Sequence, residues 1–231
     1  MELDNLIFNR YLEDHIPVLR IYSWEAPSFT YGFSQSPEEE INLERCLADK
    51  IGVAKRITGG GILFHDNEIT YSFACDKHDV GEPEGVFVSY REICAFLINF
   101  YQSLNLSTSF ALEKNDFRYR SVSSSLCSAS YEKYDIIING KKIGGNAQRR
   151  KRRAIFQHGS IPLAINWDFV NRYIRCLPED ITSHVTCLSK ELVDCPKKSL
   201  LEDKLINAFA KNFRVNFIEE NESLYETYVV R

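Results

Sequence analysis

Residues 56–66 read RITGGGILFHD, and this stretch says more about the fold than any other part of the chain. A predicted strand over residues 53–57 runs into three consecutive glycines, and a second apolar segment follows them. Glycine adopts positive φ without steric cost, and a glycine-rich turn lets backbone N–H groups approach an anion closely. The spacing is that of neither a P-loop nor a dinucleotide-binding G-x-G-x-x-G turn. A plain tight turn is the simplest interpretation, but Arg56, His65 and Asp66 beside it favour a binding site.

A second segment, NGKKIGGNAQ over residues 139–148, places two adjacent lysines just after a predicted hairpin turn. Consecutive side chains of a strand point to opposite faces, so one of Lys141 and Lys142 is expected to face a pocket. An inward lysine can hold the carbonyl and phosphate oxygens of an activated carboxylate. Two solvent-exposed turn lysines are the alternative interpretation.

The third segment, QHGS over residues 157–160, puts polar residues inside an otherwise apolar strand. An isolated histidine in such a strand is more often a hydrogen-bonded core residue than a catalytic one. This segment carries little weight by itself, and its value lies in its combination with the other two.

The composition is that of a globular protein and excludes whole classes of architecture. The 231 residues are 44% hydrophobic and 26% charged, with a net charge of −4, which excludes global disorder, collagen and coiled coil. No apolar run reaches the roughly 20 residues of a membrane span, and the N-terminus lacks the pattern of a secretory signal. We therefore expect a cytoplasmic protein whose partners include neither nucleic acid nor membrane.

The seven cysteines show neither a C-x-x-C pair nor zinc-finger spacing with histidine, so no metal site is predicted. Free thiols in a reducing compartment are expected. They are Cys46, Cys75, Cys94, Cys127, Cys176, Cys187 and Cys195.

The order of the predicted elements favours an α+β fold with a mixed, mostly antiparallel sheet flanked by helices. Residues 1–231 are expected to form one domain, since no linker or internal repeat interrupts them. Helices are predicted over residues 1–15, 36–52, 85–104, 167–176 and 197–213. Strands are predicted over 18–24, 28–35, 53–57, 62–65 and 68–75, weakly from 110 to 120, and in succession between 134 and 165.

Taken in order, the three segments resemble the lipoate–protein ligase and octanoyltransferase family, which shares its catalytic fold with biotin–protein ligases. The resemblance covers roughly residues 1–215, and the segments fit the lipoate side better than the biotin side. Residues 19–35 resemble the family's strand pair that walls the acyl pocket. The matching motif residues are Arg56, Gly59, Gly60, Gly61 and His65 in the glycine turn, Lys142, Gly145 and Ala147 in the lysine segment, and His158 and Gly159 in the His-Gly strand.

The resemblance implies attachment of a lipoyl or related acyl group to one lysine of a lipoyl carrier domain. Such carriers are the acyltransferase subunits of dehydrogenase complexes or the H protein of glycine cleavage. Lipoic or octanoic acid would be the substrate and would be held in an apolar tunnel, and Lys142 would bind the activated carbonyl. In the ligase branch, ATP and Mg²⁺ form an acyl-AMP, and Phe64, His65 and Asp66 after the glycines look more like that branch. No tightly bound cofactor is implied.

Two features point instead to the transferase branch. Cys127 precedes Lys142 by 15 residues (142 − 127 = 15), similar to the cysteine that carries an acyl thioester in octanoyltransferases. The chain also leaves no room for the accessory domain of longer ligases, so a separate accessory subunit is an open expectation. The leading prediction is an ATP-dependent ligase. The alternatives are a transferase acting through Cys127, with an inert thiol as the competing interpretation of that residue, and a non-catalytic family member that binds acyl-adenylate or carrier.

The dense basic run over residues 149–153 has two interpretations. It is either a solvated hairpin tip or a docking surface for an acidic carrier domain or a nucleotide phosphate.

Overall fold

The computed structural model describes residues 1–113, 133–220 and 227–230. Its helices are α1 (Glu2–Asp14), α2 (Leu43–Ala48), α3 (Gly85–Gln102), α4 (Trp167–Val170), α5 (Ile181–His184), α6 (Leu188–Glu191) and α7 (Lys198–Phe213). Its strands are β1 (Val18–Tyr22), β2 (Ser28–Tyr31), β3 (Gly52–Lys55), β4 (Leu63–His65), β5 (Glu68–Asp76), β6 (Thr108–Phe110), β7 (Ile136–Ile138), β8 (Lys141–Ile143), β9 (Gly145–Lys151), β10 (Ala154–Pro162), β11 (Val185–Thr186), β12 (Phe217–Glu220) and β13 (Thr227–Val230).

The strands form one large antiparallel sheet and two smaller mixed sheets. The large sheet has the order β12-β13-β1-β5-β10-β9, and every neighbouring pair in it is antiparallel. The smaller sheets, β11-β8-β7-β6 and β3-β2-β4, each contain one parallel pair. The predicted α+β class with a mixed, mostly antiparallel sheet is therefore confirmed.

The large sheet separates two helical layers of unequal size. Helices α3 and α7 pack on one face, where the rings of Phe73 and Phe209 meet edge to face at 4.8 Å. Helix α1 packs on the other face through a small cluster that includes Phe8 and Phe156. All nine residues of β10 are buried, because this strand is covered on both faces. Alternate residues of β5 and β10 therefore reach opposite layers.

The hairpin predicted at Asn139-Gly140 joins β7 to β8. Both turn residues have positive φ, 49° at Asn139 and 78° at Gly140, as a type I′ turn requires. This turn determines which of the two following lysines faces inward.

The helices predicted over 36–52 and 167–176 were wrong in extent, for a shared reason. The first is replaced by a 3₁₀ turn at Pro37–Glu39 and the short α2, and the second ends at Val170. Ile41 forms an antiparallel bridge with Ile174, and the N–H of Asn42 donates to a carbonyl of the same opposing segment. This pairing takes the backbone of both segments out of helical geometry. Gly52, the last residue of the first of these predicted helices, begins β3 instead.

Helices α1, α3 and α7 confirm the predictions over 1–15, 85–104 and 197–213. Only β6 lies within the described part of the weakly predicted strand region before residue 121. Strands β12 and β13 were not predicted, and they extend the large sheet beyond β1. Within the described ranges, no helix has the length and apolarity needed to cross a membrane.

Candidate active site

The glycine loop, residues 58–61, is braced from inside by Arg56. The guanidinium is only 2% exposed and donates through Nη2 to the carbonyls of Gly59 and Gly61, at 3.2 and 2.5 Å. Its Nη1 donates to Thr30 Oγ1 at 2.9 Å. Arg56 was predicted to offer donors to a ligand, but its described hydrogen bonds organise the loop itself.

The three glycines of the loop do not share one role. Only Gly60 has positive φ, at 94°. Its carbonyl oxygen lies against Gly32, where an added Cβ would overlap it, so Gly32 allows the loop to pack on the end of β2. By contrast, a Cβ on Gly59 would meet no atom within 4 Å. Gly59 therefore faces open space, where a ligand could approach the backbone.

His65 lies in a buried carboxylate–imidazole–threonine relay on β4. Its Nδ1 is 2.8 Å from Glu68 Oε1, and its Nε2 is 2.6 Å from Thr30 Oγ1. The Thr30 hydroxyl accepts from Arg56, so its proton is directed to the His65 ring. The indole of Trp24 stacks on the imidazole at 4.2 Å between ring centroids. This relay connects His65 to the guanidinium that braces the glycine loop.

His158 lies in a second relay of the same kind on β10. Its Nε2 is 2.7 Å from Thr58 Oγ1, and its Nδ1 is 3.3 Å from Asp4 Oδ2. Asp4 is fully buried and is also bound by Arg20 Nη1 at 3.2 Å and by the Tyr22 hydroxyl at 3.3 Å. A lone histidine in this strand was expected to be a hydrogen-bonded core residue more often than a catalytic one. His158 is indeed buried and hydrogen-bonded, but it contacts the glycine loop.

Burial and charge set the protonation of this second relay. Burial lowers the pKa of His158, and the hydrogen bond to Asp4 only partly offsets that effect. Burial by itself would raise the pKa of Asp4, but the hydrogen bond from His158 and the charges of His158 and Arg20 outweigh it, so that the pKa is lowered. The pair therefore rests at neutral pH as an Asp4 carboxylate beside an uncharged imidazole.

Two adjacent cavities bring most of the predicted site residues together. One, of about 40 Å³, is lined by Phe64, Asp66, Gly145, Trp167 and Val185 among others. The other, of about 10 Å³, is lined by further predicted residues: Arg56, His65, Gly145, Ala147, His158 and Gly159. Leu63, Gly145 and Ser160 line both cavities, so they adjoin along the β4–β9 contact.

Lys142 lines neither of these two cavities, but it is almost completely buried on a strand next to the larger one. Its Nζ forms an ion pair with Asp135 Oδ2 at 2.8 Å, and the Lys142 residue is 1% exposed. On β8 it pairs with Val185, which lines the larger cavity. The preceding Lys141 points the other way, where its Nζ donates to the Thr182 carbonyl at 3.0 Å. The predicted division of the two lysines between opposite faces is confirmed.

The opposite face of β9 and β10 carries an uncharged polar network under α3. Gly159 is needed here, since a Cβ would overlap Asn146 Oδ1, which accepts a hydrogen bond from the Tyr71 hydroxyl at 2.8 Å. Gln157 donates to that hydroxyl and to Cys94 Sγ. Burial raises the pKa of Cys94 to about 12, which leaves this thiol unreactive at neutral pH.

Three further predictions concern Cys127, the basic run over residues 149–153 and the absence of a metal site. Cys127 lies outside the described residues. The basic run covers the end of β9 and the turn into β10; Arg153 in the turn pairs with Asp76 and Glu82, and Arg149 on β9 donates to the Ile57 carbonyl. In the described part of the chain, no group of three or more His, Cys, Asp or Glu side chains could hold a metal ion.

The sequence analysis missed the carboxylates that partner the basic groups: Asp4, Glu68 and Asp135. Asp4 had a recognisable signal, because it shares the helical spacing of the buried Phe8 and Tyr11 and thus lies on the apolar face of α1. Glu68 is the first residue of the buried strand β5 and Asp135 immediately precedes β7, and no periodic pattern marks either of them. Their roles became visible only through the tertiary contacts.

The geometry combines a cavity of mixed apolar and polar lining with a buried ammonium group and a preorganised glycine loop. An ammonium held by a carboxylate can stabilise negative charge developing on a carbonyl oxygen. Of the described cysteines, Cys176 and Cys195 are exposed and the other four are buried: Cys46, Cys75, Cys94 and Cys187. This arrangement suits acyl transfer.

Comparisons with known proteins agree on the family. A family model described as the lipoyl protein ligase A/B catalytic domain matches residues 1–214. The chain is 32% identical over 224 residues to an octanoyltransferase LipM of Bacillus cereus, covering 92% of this chain and 80% of that protein.

Two solved structures are similar in fold. One is lipoate-protein ligase A bound with ATP, with a TM-score of 0.75 and 23% identity over 94% of this chain and 81% of the other. The second is a bi-partite lipoate protein ligase from Thermoplasma acidophilum, studied with its E2 lipoyl domain. Its TM-score is 0.72 at 20% identity, covering 94% of this chain and 79% of the other. At these identities the likeness shows the fold alone.

Proposed function

We propose that this chain, which belongs to the lipoyl protein ligase A/B catalytic-domain family, acts as an octanoyltransferase through Cys127. Family membership already makes it an enzyme of lipoyl or octanoyl transfer. It would move the acyl group from a thioester donor to one lysine of a lipoyl carrier domain. The relative named octanoyltransferase supports this branch, because its 32% identity extends over most of both chains. This proposal departs from the ATP-dependent ligase that the sequence analysis placed first.

The proposed reaction has two acyl-transfer steps and needs no oxidant or nucleotide. The Cys127 thiolate attacks the thioester carbonyl of the donor and forms a new C–S bond; the donor's C–S bond breaks, and the released donor thiolate takes a proton from solvent. The uncharged ε-amine of the carrier lysine then attacks the enzyme thioester. A C–N bond forms, the C–S bond breaks, the thiolate is regenerated and the amine proton passes to solvent. Both tetrahedral intermediates carry a negative oxygen.

The observation that carries the proposal is the buried ammonium of Lys142, which pairs across strands with the cavity-lining Val185. Its ion pair with Asp135, at 2.8 Å, keeps the charge in place where both side chains are almost completely buried. A fixed positive charge there would stabilise the oxyanion in both steps and favour the thiolate form of a nearby cysteine. Cys127 is close to Asp135 in sequence, eight residues before it (135 − 127 = 8).

An ATP-dependent ligase is the second candidate, favoured by the structural likeness to a lipoate-protein ligase bound with ATP. The open space at Gly59 and the ammonium of Lys142 fit a nucleotide phosphate, so these residues would hold it. ATP with Mg²⁺ would supply the activation of a free carboxylate as a mixed anhydride. In that case the protein would bind the acyl chain and phosphate, and Cys127 would be dispensable.

The test compares donors and cysteine variants. The enzyme is incubated with a lipoyl carrier domain and either an octanoyl thioester without ATP or lipoate with ATP, and the carrier mass is measured. We expect acylation from the thioester, an acid-stable and hydroxylamine-sensitive adduct on the Cys127 peptide, and near-abolition of transfer in Cys127→Ser. The exposed Cys176 provides the matched control, since Cys176→Ser should retain activity.

Two results would overturn the proposal. One is full activity of Cys127→Ser with either donor. The other is carrier acylation that requires ATP and proceeds without a cysteine adduct, which would establish the ligase.

A further inference from the structure

Helix α1 carries a carboxylate to the buried face of the large sheet. Asp4, Phe8 and Tyr11 follow helical spacing and are all buried, so Asp4 sits where an apolar residue would be expected. Its two oxygens have different partners. Oδ1 pairs with Arg20, whereas Oδ2 faces His158 Nδ1 and accepts from the Tyr22 hydroxyl. The Arg20 pair alone would account for the burial of the charge, but not for the contact with His158.

That contact assigns the protons of the relay. An ionised carboxylate only accepts hydrogen bonds, so the proton between Asp4 and His158 belongs to His158 Nδ1. An uncharged imidazole protonated at Nδ1 has an acceptor at Nε2. The hydroxyl of Thr58, 2.7 Å away, therefore donates to Nε2. The direction of every hydrogen bond in the relay follows from the carboxylate at its end.

Thr58 begins the glycine loop and is held on two sides. It is 1% exposed, its hydroxyl contacts His158, and its carbonyl accepts from the N–H of Phe33 at 2.9 Å. Arg56 binds the next parts of the loop, the carbonyls of Gly59 and Gly61. Thr58 is thus the point at which the loop is tied to the large sheet, since β10 carries His158.

We infer that Asp4 is a positioning residue: it selects the Nδ1-protonated tautomer of His158, which receives the Thr58 hydroxyl proton and holds the start of the glycine loop. The first helix thereby controls a loop that lies more than fifty residues further along the chain. Only the activity measurement below rests on the proposed function. The tautomer of His158 and the stability of the glycine loop can be measured without substrate.

The first experiment reads the tautomer directly in the full chain. The protein has five histidines, and His158→Asn assigns the His158 ring signals in the ¹⁵N spectrum. We expect a pyrrole-type Nδ1 and a pyridine-type Nε2 in the wild-type protein. Asp4→Asn should move Nδ1 towards the pyridine type, since the amide can donate to it. Tyr22→Phe is the matched control, because it removes the other donor to Oδ2 and should leave the tautomer unchanged.

The second experiment reads the loop by amide hydrogen exchange. Asp4→Asn and Thr58→Val should each accelerate exchange in residues 57–62 by about three- to tenfold, the scale of one lost hydrogen bond, with residues 93–101 of α3 unchanged. Thr58→Ser keeps the hydroxyl and should exchange like the wild-type protein. The double variant should exchange no faster than Thr58→Val, because both changes break one relay. For the proposed transfer, KM for the acyl donor should rise more than kcat falls.

Three results would overturn the inference. They are a wild-type His158 protonated at Nε2, a tautomer unaffected by Asp4→Asn, and additive exchange effects in the double variant. If Asp4→Asn does not fold, the wild-type tautomer and the comparison of Thr58→Val with Thr58→Ser still decide it. A failure of acyl transfer with the expected spectra and exchange would count against the proposed function alone.

Discussion

Lys142 and Asp135 form a buried ion pair in which Nζ and Oδ2 are 2.8 Å apart and both side chains are less than 5% exposed. Burying two charges costs solvation energy, which a single close contact offsets only when the geometry is good. Lys142 is also the lysine that β8 directs inward, while Lys141 reaches a surface carbonyl. The pair therefore holds a buried ammonium group in a fixed position, unlike a mobile surface lysine.

Removing this ammonium should reduce transfer far more than removing its neighbour. We expect Lys142→Ala to lower kcat/KM for carrier acylation by about 30- to 150-fold, equivalent to about 2–3 kcal/mol of transition-state stabilisation. Lys141→Ala should change it by less than about threefold. The comparison is best repeated in an Asp135→Asn background, which leaves no buried carboxylate unpaired. Equal losses in the two lysine variants would show that the wrong lysine has been assigned.

The glycine loop should tolerate side chains unequally. Gly32→Ala forces a Cβ onto the Gly60 carbonyl, so we expect it to destabilise the fold by about 1–3 kcal/mol, the usual range for overpacking. Gly59→Ala meets open space and should change the free energy of unfolding by less than about 0.5 kcal/mol. Urea unfolding of both variants measures the difference. A stable Gly32→Ala protein with an unchanged midpoint would contradict this packing.

Acidification should destabilise the protein partly through His158. Its pKa is lowered in the fold, chiefly by burial, relative to about 6.5 in the unfolded chain. The unfolded chain therefore binds the proton first, and stability that is present above about pH 6.5 is lost as the pH falls below it. Tm should decrease between pH 7.5 and 5.5 more steeply in the wild-type protein than in His158→Gln. Parallel slopes would mean that His158 is not held uncharged.

The thiols should differ sharply in reactivity. Cys94 is buried, and burial raises its pKa to about 12, whereas Cys176 is exposed. Brief alkylation of the native protein at pH 7.5 should therefore modify Cys176 and leave Cys94 intact, because only the thiolate reacts. Peptide mass spectrometry measures both sites, and alkylation after denaturation is the control. Early modification of Cys94 would contradict the packing of α3 on β10.

Local sequence patterns correctly predicted the turns and helices whose geometry depends mainly on residues close together in the chain. The Asn139-Gly140 turn and the alternation of Lys141 and Lys142 followed from backbone geometry, because a type I′ turn and a two-residue repeat leave little freedom. The long helices α3 and α7 followed from the period of their apolar residues. The family resemblance followed from the order of three motif segments, and the family match over residues 1–214 confirms it.

Contacts between distant segments decided the extent of two helices and the partners of the buried basic groups. The bridge between Ile41 and Ile174 shortened two predicted helices, because pairing across 133 residues (174 − 41 = 133) outweighed local helix propensity. The carboxylates Asp4, Glu68 and Asp135 gained meaning only when the fold placed them against His158, His65 and Lys142. The sequence by itself thus determined the fold class, the family and the basic groups of the candidate site. The tertiary structure alone decided their partners, because a buried charge is held by whichever opposite charge the packing brings within hydrogen-bonding distance.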